Sequence, residues 1–193
     1  MTRGAGPAAD RRRTLYLPPW RVDITIRASV VSLLAAASIA RAVTAALEAA
    51  AAPEPGSVTV VLTDDGELAD LNREHMGIAG PTDVLSFPML QPDGFRRTGP
   101  EDARPRPRRK IAPLRPLPRT HIGDVAISVE RAVEQAEQGR GGQTGDVHWS
   151  AADELRLLVI HGTLHLCGWD HADPADETSM RSLERRLLDR RGG

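Results

Sequence analysis

The stretch HGTLHLCGWDH, residues 161–171, places three histidines in an otherwise apolar run. His161 and His165 are four residues apart, so on a helix their imidazoles share one face and can converge on one atom. Gly168 can adopt the left-handed conformation that ends a helix, and the returning chain then supplies His171. The stretch therefore predicts a helix and a turn with three imidazole nitrogens directed at one point.

Three imidazoles at this spacing are typical of a metal site. Neutral imidazole nitrogens suit zinc, although nickel and cobalt accept them as well. Three protein ligands leave the fourth position of a tetrahedral ion open, which is typical of a catalytic rather than a structural site. We expect one Zn²⁺ held by His161, His165 and His171. Cys167 faces away from the first two histidines by helical phase, so we expect a small buried hydrophobe there and not a fourth ligand.

The spacing HxxxHxxGxxH is similar to the metzincin signature of zinc proteases, with one difference. Gly162 stands where those proteases have a catalytic glutamate. Without a carboxylate at that position, a peptidase lacks the base that activates the water on its zinc. A metal-dependent hydrolase of another substrate, such as a peptide, is therefore the weaker interpretation.

The rest of the chain alternates strand-like and helix-like segments. Four strands are predicted, in WRVDITI, SVTVVLT, TDVLSFPM and HIGDVAIS, because these carry β-branched residues bounded by proline or glycine. Helices are predicted over about 29–52, in ELADLNREH, SVERAVEQAEQG and AADELRLLVIHGTLHLC, and in a final segment that begins at DPADE. The length of 193 residues suits one domain with a core. We predict that domain at 14–190, after a disordered tail at 1–13.

Residues 91–119 form a segment dense in proline and arginine between the third and fourth predicted strands. Proline removes backbone donors and fixes φ, so this segment cannot be a regular element. Two interpretations stay open for this insertion. It is either a solvated loop or a mobile basic arm that contacts nucleic acid phosphates.

Composition excludes several classes of protein. One cysteine cannot form an internal disulfide framework and is compatible with a reducing cytoplasm. The N-terminal residues carry charge but no following apolar region, so they do not predict a secretory signal. The most apolar stretch, VVSLLAAASIARAVTAALEAAAA, is interrupted by Arg41 and Glu48 and would be a poor membrane span. We expect a cytoplasmic protein with no membrane partner.

Three blocks together resemble the YbeY family of bacterial endoribonucleases, which are ribosomal RNA maturation factors. They are HGTLHLCGWDH, GPTDVLSFPM at 80–89 and GDVAIS at 123–128, and ELADLN at 67–72 also agrees. The resemblance implies a single α+β domain, a small mixed sheet flanked by helices, and a zinc held by the three histidines at the end of a cleft. It also implies cleavage of single-stranded RNA, maturation of the 3′ end of 16S rRNA and ribosome quality control. The implied partners are ribosomal RNA and the small ribosomal subunit.

On this resemblance, a mechanism can be proposed. Zinc would lower the pKa of a bound water or polarise a phosphoryl oxygen for in-line cleavage of the phosphodiester. The proton acceptor stays open, with Asp170 and Asp124 as the catalytic candidates. Asp170 could instead orient an imidazole or be a solvated residue at the helix end. We expect Asp124 and Ser128, in the GDVAIS block, to line the floor of the cleft.

One position departs from the family pattern. The family usually carries an arginine just before the glycine that precedes the PTD block, and here that residue is Met76, before Gly77. Such an arginine would hold phosphate. Arg73 and His75 are the neighbouring candidates for substrate binding in its place, and the arginine-rich insertion is another. The departure also leaves open a ribosome-associated RNA-binding factor in which zinc is mainly structural.

Overall fold

The computed structural model describes residues 9–91, 118–139, 149–169 and 174–189. These residues form five strands and five helices. In chain order the elements are β1 Arg11–Leu17, β2 Trp20–Ile26, α1 Ala36–Ala49, β3 Gly56–Thr63, α2 Asp65–Met76, β4 Val84–Pro88, β5 Thr120–Ser128, α3 Val129–Glu137, α4 Ala151–Leu166 and α5 Pro174–Asp189.

The five strands form one mixed sheet in the order β1-β2-β3-β5-β4. β2, β3 and β5 run parallel, whereas β1 and β4 pair antiparallel at the two edges. Parallel neighbours need a long crossover, which α1 provides between β2 and β3. The sheet and its flanking helices confirm the predicted α+β class.

Two apolar clusters lie on opposite faces of the sheet. The main core contains buried residues of α1, α4 and α5 together with β2, β3 and β5. The smaller cluster, centred on Leu68 of α2, contains Leu85 and Ala126. Because successive strand residues point to opposite faces, Val84 and Val125 face the main core while Leu85 and Ala126 face α2. α4 and α2 therefore cover different faces of the sheet.

Ordered structure begins earlier than the sequence predicts. β1 starts at Arg11, inside the predicted disordered tail at 1–13, and pairs with β2 along its whole length. The Asp10 carboxylate accepts hydrogen bonds from the Arg27 side chain and the Ala28 backbone N–H. The hydrogen bond from Arg27 holds the pKa of Asp10 below its usual value. The prediction is wrong for residues 9–13, while residues 1–8 lie outside the described ranges.

Other boundaries also differ from those predicted. α1 spans Ala36–Ala49, shorter than the predicted 29–52, and its N-cap residue, Ala35, makes no side-chain hydrogen bond to the helix. Of the predicted insertion, residues 92–117 lie outside the described ranges. At its end, Arg119 donates hydrogen bonds to the carbonyl oxygens of Pro19 and Gly56 and so anchors the start of β5. Among the helices that the structure describes, none has the length and apolarity that a bilayer span requires.

Candidate metal centre

α4 carries the first two histidines of the motif and begins with a capping box. The Ser150 side chain accepts a hydrogen bond from the Asp153 backbone N–H, and the Asp153 carboxylate accepts one from the Ser150 backbone N–H. The helix ends at Leu166, and Gly168 has a φ of 77°, as expected for the predicted turn. Cys167 is buried in the main core, and burial raises the pKa of its thiol to about 12. It is not an accessible thiolate ligand.

Gly162 lies on the side of α4 that packs against the sheet. A Cβ at this position would be 2.6 Å from Val125 Cγ1 and 2.9 Å from Val84 Cγ2. The Gly162 carbonyl also accepts a hydrogen bond of 3.0 Å from Ser86 Oγ. No side chain fits in this space, so glycine permits the close approach of helix and sheet. The position that holds a glutamate in metzincins is therefore a packing position here and cannot supply a base.

The side chains of His161 and His165 meet beside α4. Their Nε2 atoms are 3.0 Å apart, and their rings are nearly perpendicular at 78°. In tetrahedral zinc sites with Zn–N bonds of about 2.0–2.1 Å, two ligand nitrogens are about 3.3 Å apart. Two Nε2 atoms at this separation can share one metal ion after a small adjustment. The structure thus brings together two of the three predicted ligands.

Glu184, on α5, contacts the ring of His161 on the side away from His165. Its Oε1 is 2.8 Å from His161 Nδ1, and only 8% of the residue is exposed. A carboxylate that accepts a hydrogen bond from Nδ1–H leaves Nε2 with a free lone pair and fixes the ring orientation. Sequence reasoning missed this residue because it lies among Leu183, Leu187 and Leu188, which predict only a packing stripe. A lone acidic residue inside that stripe was the available signal.

An open cleft of about 350 Å³ adjoins the pair. Its lining residues are His161 of α4 and Glu177, Met180, Arg181 and Glu184 of α5. The Arg181 side chain is 68% exposed, and its Nη2 lies 2.6 Å from Glu177 Oε1. The wall of the cleft that α5 forms therefore includes an exposed guanidinium group.

The described donors fit a zinc ion but do not complete a site. His171, the third predicted ligand, and Asp170 lie outside the described residues. Within the described ranges, no group of three or more His, Cys, Asp or Glu side chains is placed to hold a metal ion. Two imidazole nitrogens, one backed by a carboxylate, match the donor chemistry of zinc and leave further positions to be filled.

The comparison with known families gives the family of the chain. A family model described as Endoribonuclease YbeY matches residues 24–192. The chain belongs to the YbeY family. The match begins well before ELADLN at 67–72, the first of the similar sequence blocks, and it includes the end of β2 and all of α1 as well as the histidine motif. The prediction of family membership is confirmed.

Individual YbeY proteins agree with this assignment. The endoribonuclease YbeY of Symbiobacterium thermophilum is 41% identical, covering 68% of this chain and 69% of that protein. That of Rhodococcus opacus is 37% identical, over 79% and 71% of the two chains. That of a Roseiflexus species is 38% identical, over 86% and 90%. A solved structure, of TM1509 from Thermotoga maritima, is 20% identical over 79% of this chain and 78% of that one, with a TM-score of 0.47.

The structure places Asp124 away from the histidine pair, which corrects the expectation that it lines the cleft floor. Asp124 lies opposite Phe87 in the β4–β5 register, on the α2 face of the sheet. Its Oδ1 is 2.9 Å from His121 Nε2. Because the sheet separates this side chain from α4, it cannot act as a base at the candidate metal centre.

Ser128 is also not available to a substrate, which corrects the second expectation for the cleft floor. The residue is fully buried. Its Oγ accepts a hydrogen bond from the Arg131 backbone N–H and donates one of 2.6 Å to Asp65 Oδ1. Ser128 therefore caps α3 and links it to α2.

Arg73, His75 and Met76 occupy the last turn of α2, on the other face of the sheet from α4. Arg73 Nη2 is 2.6 Å from Asp70 Oδ1, and the His75 ring packs edge-on against Phe87. Met76, in place of the usual YbeY arginine, is 47% exposed. The exposed end of α2 thus carries one arginine, already paired with an aspartate.

Proposed function

We propose that this chain is a zinc-dependent endoribonuclease that cleaves single-stranded RNA. Its proposed role is maturation of the 3′ end of 16S rRNA and ribosome quality control, with the small ribosomal subunit as partner. Membership of the YbeY family supports the nuclease class, since the related proteins are named endoribonucleases. The observation that carries metal dependence is the convergence of His161 Nε2 and His165 Nε2, with Glu184 behind His161.

The ion would be held by His161, His165 and His171. A bound zinc ion supplies Lewis-acid chemistry, which acidifies a water molecule and withdraws electron density from a phosphoryl oxygen. Glu184 holds the His161 ring in the tautomer that presents Nε2. Gly162 keeps α4 against the sheet, so the two imidazoles stand on a rigid helix.

Arg181 is placed to bind an RNA phosphate in the cleft. It lines the same cleft as His161, and a guanidinium group can donate two hydrogen bonds to one phosphate. Met76 offers no charge in place of the usual family arginine. We therefore assign the phosphate contact to the α5 wall of the cleft, with Glu177 orienting the guanidinium group through its ion pair.

Metal removal tests this function. We expect purified protein to cleave a small-subunit RNA precursor, to lose this activity on chelation, and to regain it when zinc is added back. A duplex of the same sequence is the control for single-strand specificity and should stay intact. Cleavage that persists in the chelated protein would contradict metal dependence. A folded, zinc-loaded protein that cleaves neither naked RNA nor ribosomal particles would favour the RNA-binding factor with a structural zinc.

Glu184→Gln tests the assignment of the carboxylate behind His161. Glutamine has the same shape but no negative charge, so we expect zinc affinity to fall about 10-fold or more, within the range for such outer partners of metal ligands. Competition with a chromogenic chelator measures the affinity. Glu177→Gln, on the same helix and cleft wall, is the matched control and should bind zinc as the wild type does. Equal affinity in the two variants would mean that Glu184 serves only packing.

A further inference from the structure

β1 carries three consecutive arginines at one edge of the sheet that the described residues form. Arg11, Arg12 and Arg13 are exposed, and among the described strands β1 is the terminal one and pairs with β2 alone. None of the three forms an ion pair in the described part of the chain, whereas Arg27, at the end of β2, pairs with Glu67. Arg12 lies within electrostatic reach of the Asp10 carboxylate, which Arg27 already binds, so this edge keeps a local excess of positive charge.

The arginines project from both faces of the sheet. Leu15 and Leu17 pack against the main core, so alternation along β1 puts Arg11 and Arg13 on that face. Arg12 then lies on the other face, together with Tyr16. Cations on both faces flank the strand edge, and an extended polyanion that runs along the edge can contact all of them.

Tyr16 adds an aromatic ring to the same surface. It is the only tyrosine of the chain, and 64% of it is exposed. Surfaces that bind single-stranded nucleic acid combine cations for the phosphates with aromatic rings on which bases stack. We call Arg11, Arg12, Arg13 and Tyr16 the β1 strip. An acidic peptide would use the charges of this strip but not an isolated exposed ring, so the combination favours RNA.

We propose that the β1 strip is a second RNA-binding surface, which holds the backbone of a single-stranded substrate away from the histidine pair. The inference rests on the proposed function, because it takes RNA as the substrate. α4 packs over β4 and β5 at the other end of the strand order. With about 4.8 Å between neighbouring strands, the two sheet edges are about 19 Å apart. Only an RNA long enough to bridge that distance contacts both places, so the strip favours long substrates over short ones.

The test compares two triple variants with the same change in net charge. R11Q/R12Q/R13Q removes the arginines of the strip, and R41Q/R185Q/R186Q removes three exposed arginines from α1 and α5. Fluorescence anisotropy measures the binding of a long single-stranded RNA and of a short oligonucleotide at several salt concentrations. We expect the strip variant to lose about 10-fold or more in affinity for the long RNA. A plot of log affinity against log salt concentration should become shallower by about 2, because each phosphate contact with single-stranded RNA that is lost removes about 0.7 from the slope. The strip variant should bind the short oligonucleotide with wild-type affinity, and the control variant should bind both RNAs with wild-type affinity.

Tyr16 provides a separate measure of base stacking. Tyr16→Ala should weaken binding of the long RNA, while Tyr16→Phe, which keeps the ring, should retain wild-type affinity. Weaker binding in both variants would assign the effect to the hydroxyl group and would contradict stacking.

Two results would overturn the proposal. Equal losses of affinity in the two triple variants would indicate a general charge effect. Unchanged RNA binding in the strip variant would show that the arginines do not bind RNA. New dimers of that variant in light scattering would then indicate that they keep the strand edge from pairing with another chain. Cleavage of both RNAs, measured in parallel, separates this failure from that of the proposed function. A wild type that binds and cleaves neither RNA refutes both proposals, whereas a wild type that cleaves both while the strip variant binds normally refutes the strip alone.

Discussion

His165→Ala is expected to lower RNA cleavage by the zinc-loaded protein by more than about 100-fold. Removal of a direct ligand should cost more than the roughly 10- to 100-fold that follows the loss of an outer partner. The remaining His161 keeps its contact with Glu184 but no longer faces a second Nε2 atom. Cleavage of a small-subunit RNA precursor measures the effect, with matched circular dichroism and melting curves to establish folding.

His121→Ala is the matched control for this prediction. His121 lies on β5, where its ring contacts Asp124 and Ser57, and it is not part of the candidate metal centre. This variant should cleave RNA at the wild-type rate. If the His165 variant cleaved as fast as this control, the histidine pair would not be catalytic, and the zinc would have at most a structural role.

Gly162→Ala is expected to destabilise the fold by about 1–3 kcal/mol, the usual cost of inserting a methyl group into a packed core. The new Cβ would clash with Val125 and Val84, two branched side chains on neighbouring strands. Urea unfolding measures the loss of stability as a lower midpoint at an unchanged slope.

Gly66→Ala provides the comparison for Gly162. This residue lies in the exposed first turn of α2, and the nearest atom to its added Cβ is Asp64 Oδ1 at 3.3 Å, part of a side chain. Alanine also favours a helix over glycine by roughly 0.5–1 kcal/mol. Gly66→Ala should therefore unfold close to the wild-type midpoint. Equal midpoints for the two variants would contradict the close helix–sheet contact at Gly162.

The sequence predicts the histidine pair well because the information is local. A helix repeats every 3.6 residues, so a spacing of four fixes a shared face without knowledge of the tertiary structure. The contact between His161 and Glu184 depends instead on how α5 packs across α4, which residue spacing does not encode. Glu184 was therefore missed, although the helix that carries it was predicted.

The face on which Asp124 lies could not be predicted for a different reason. β5 is a central strand covered on both faces, so Val125, Ala126 and Ile127 are all buried. The usual alternation of apolar and polar residues, which would assign each side chain to a face, is absent from such strands. The GDVAIS block therefore identified a strand but not the direction of its carboxylate.

The sequence does not predict β1 because its alternation of apolar and polar residues begins only near the end of the strand. Its first three residues are arginines, and the apolar residues that mark a buried face start only at Leu15. Charged residues are common on edge strands, where they discourage association with other sheets. A basic run before an apolar alternation thus has two meanings, an unstructured tail or a protected edge, and only the pairing with β2 distinguishes them.

The contact at Gly162 also sets the rotation of α4 about its own axis. Because Gly162 lies against the sheet, His161 and His165 lie on the side of the helix that meets α5. A chain with the same histidine spacing and a large residue at the glycine position would have to turn or lift the helix, which would move both ligands together. Proteins can therefore share the HxxxH motif and still expose different flanking residues to a substrate. The chemistry open to such a motif depends on helix orientation as much as on the metal ligands themselves.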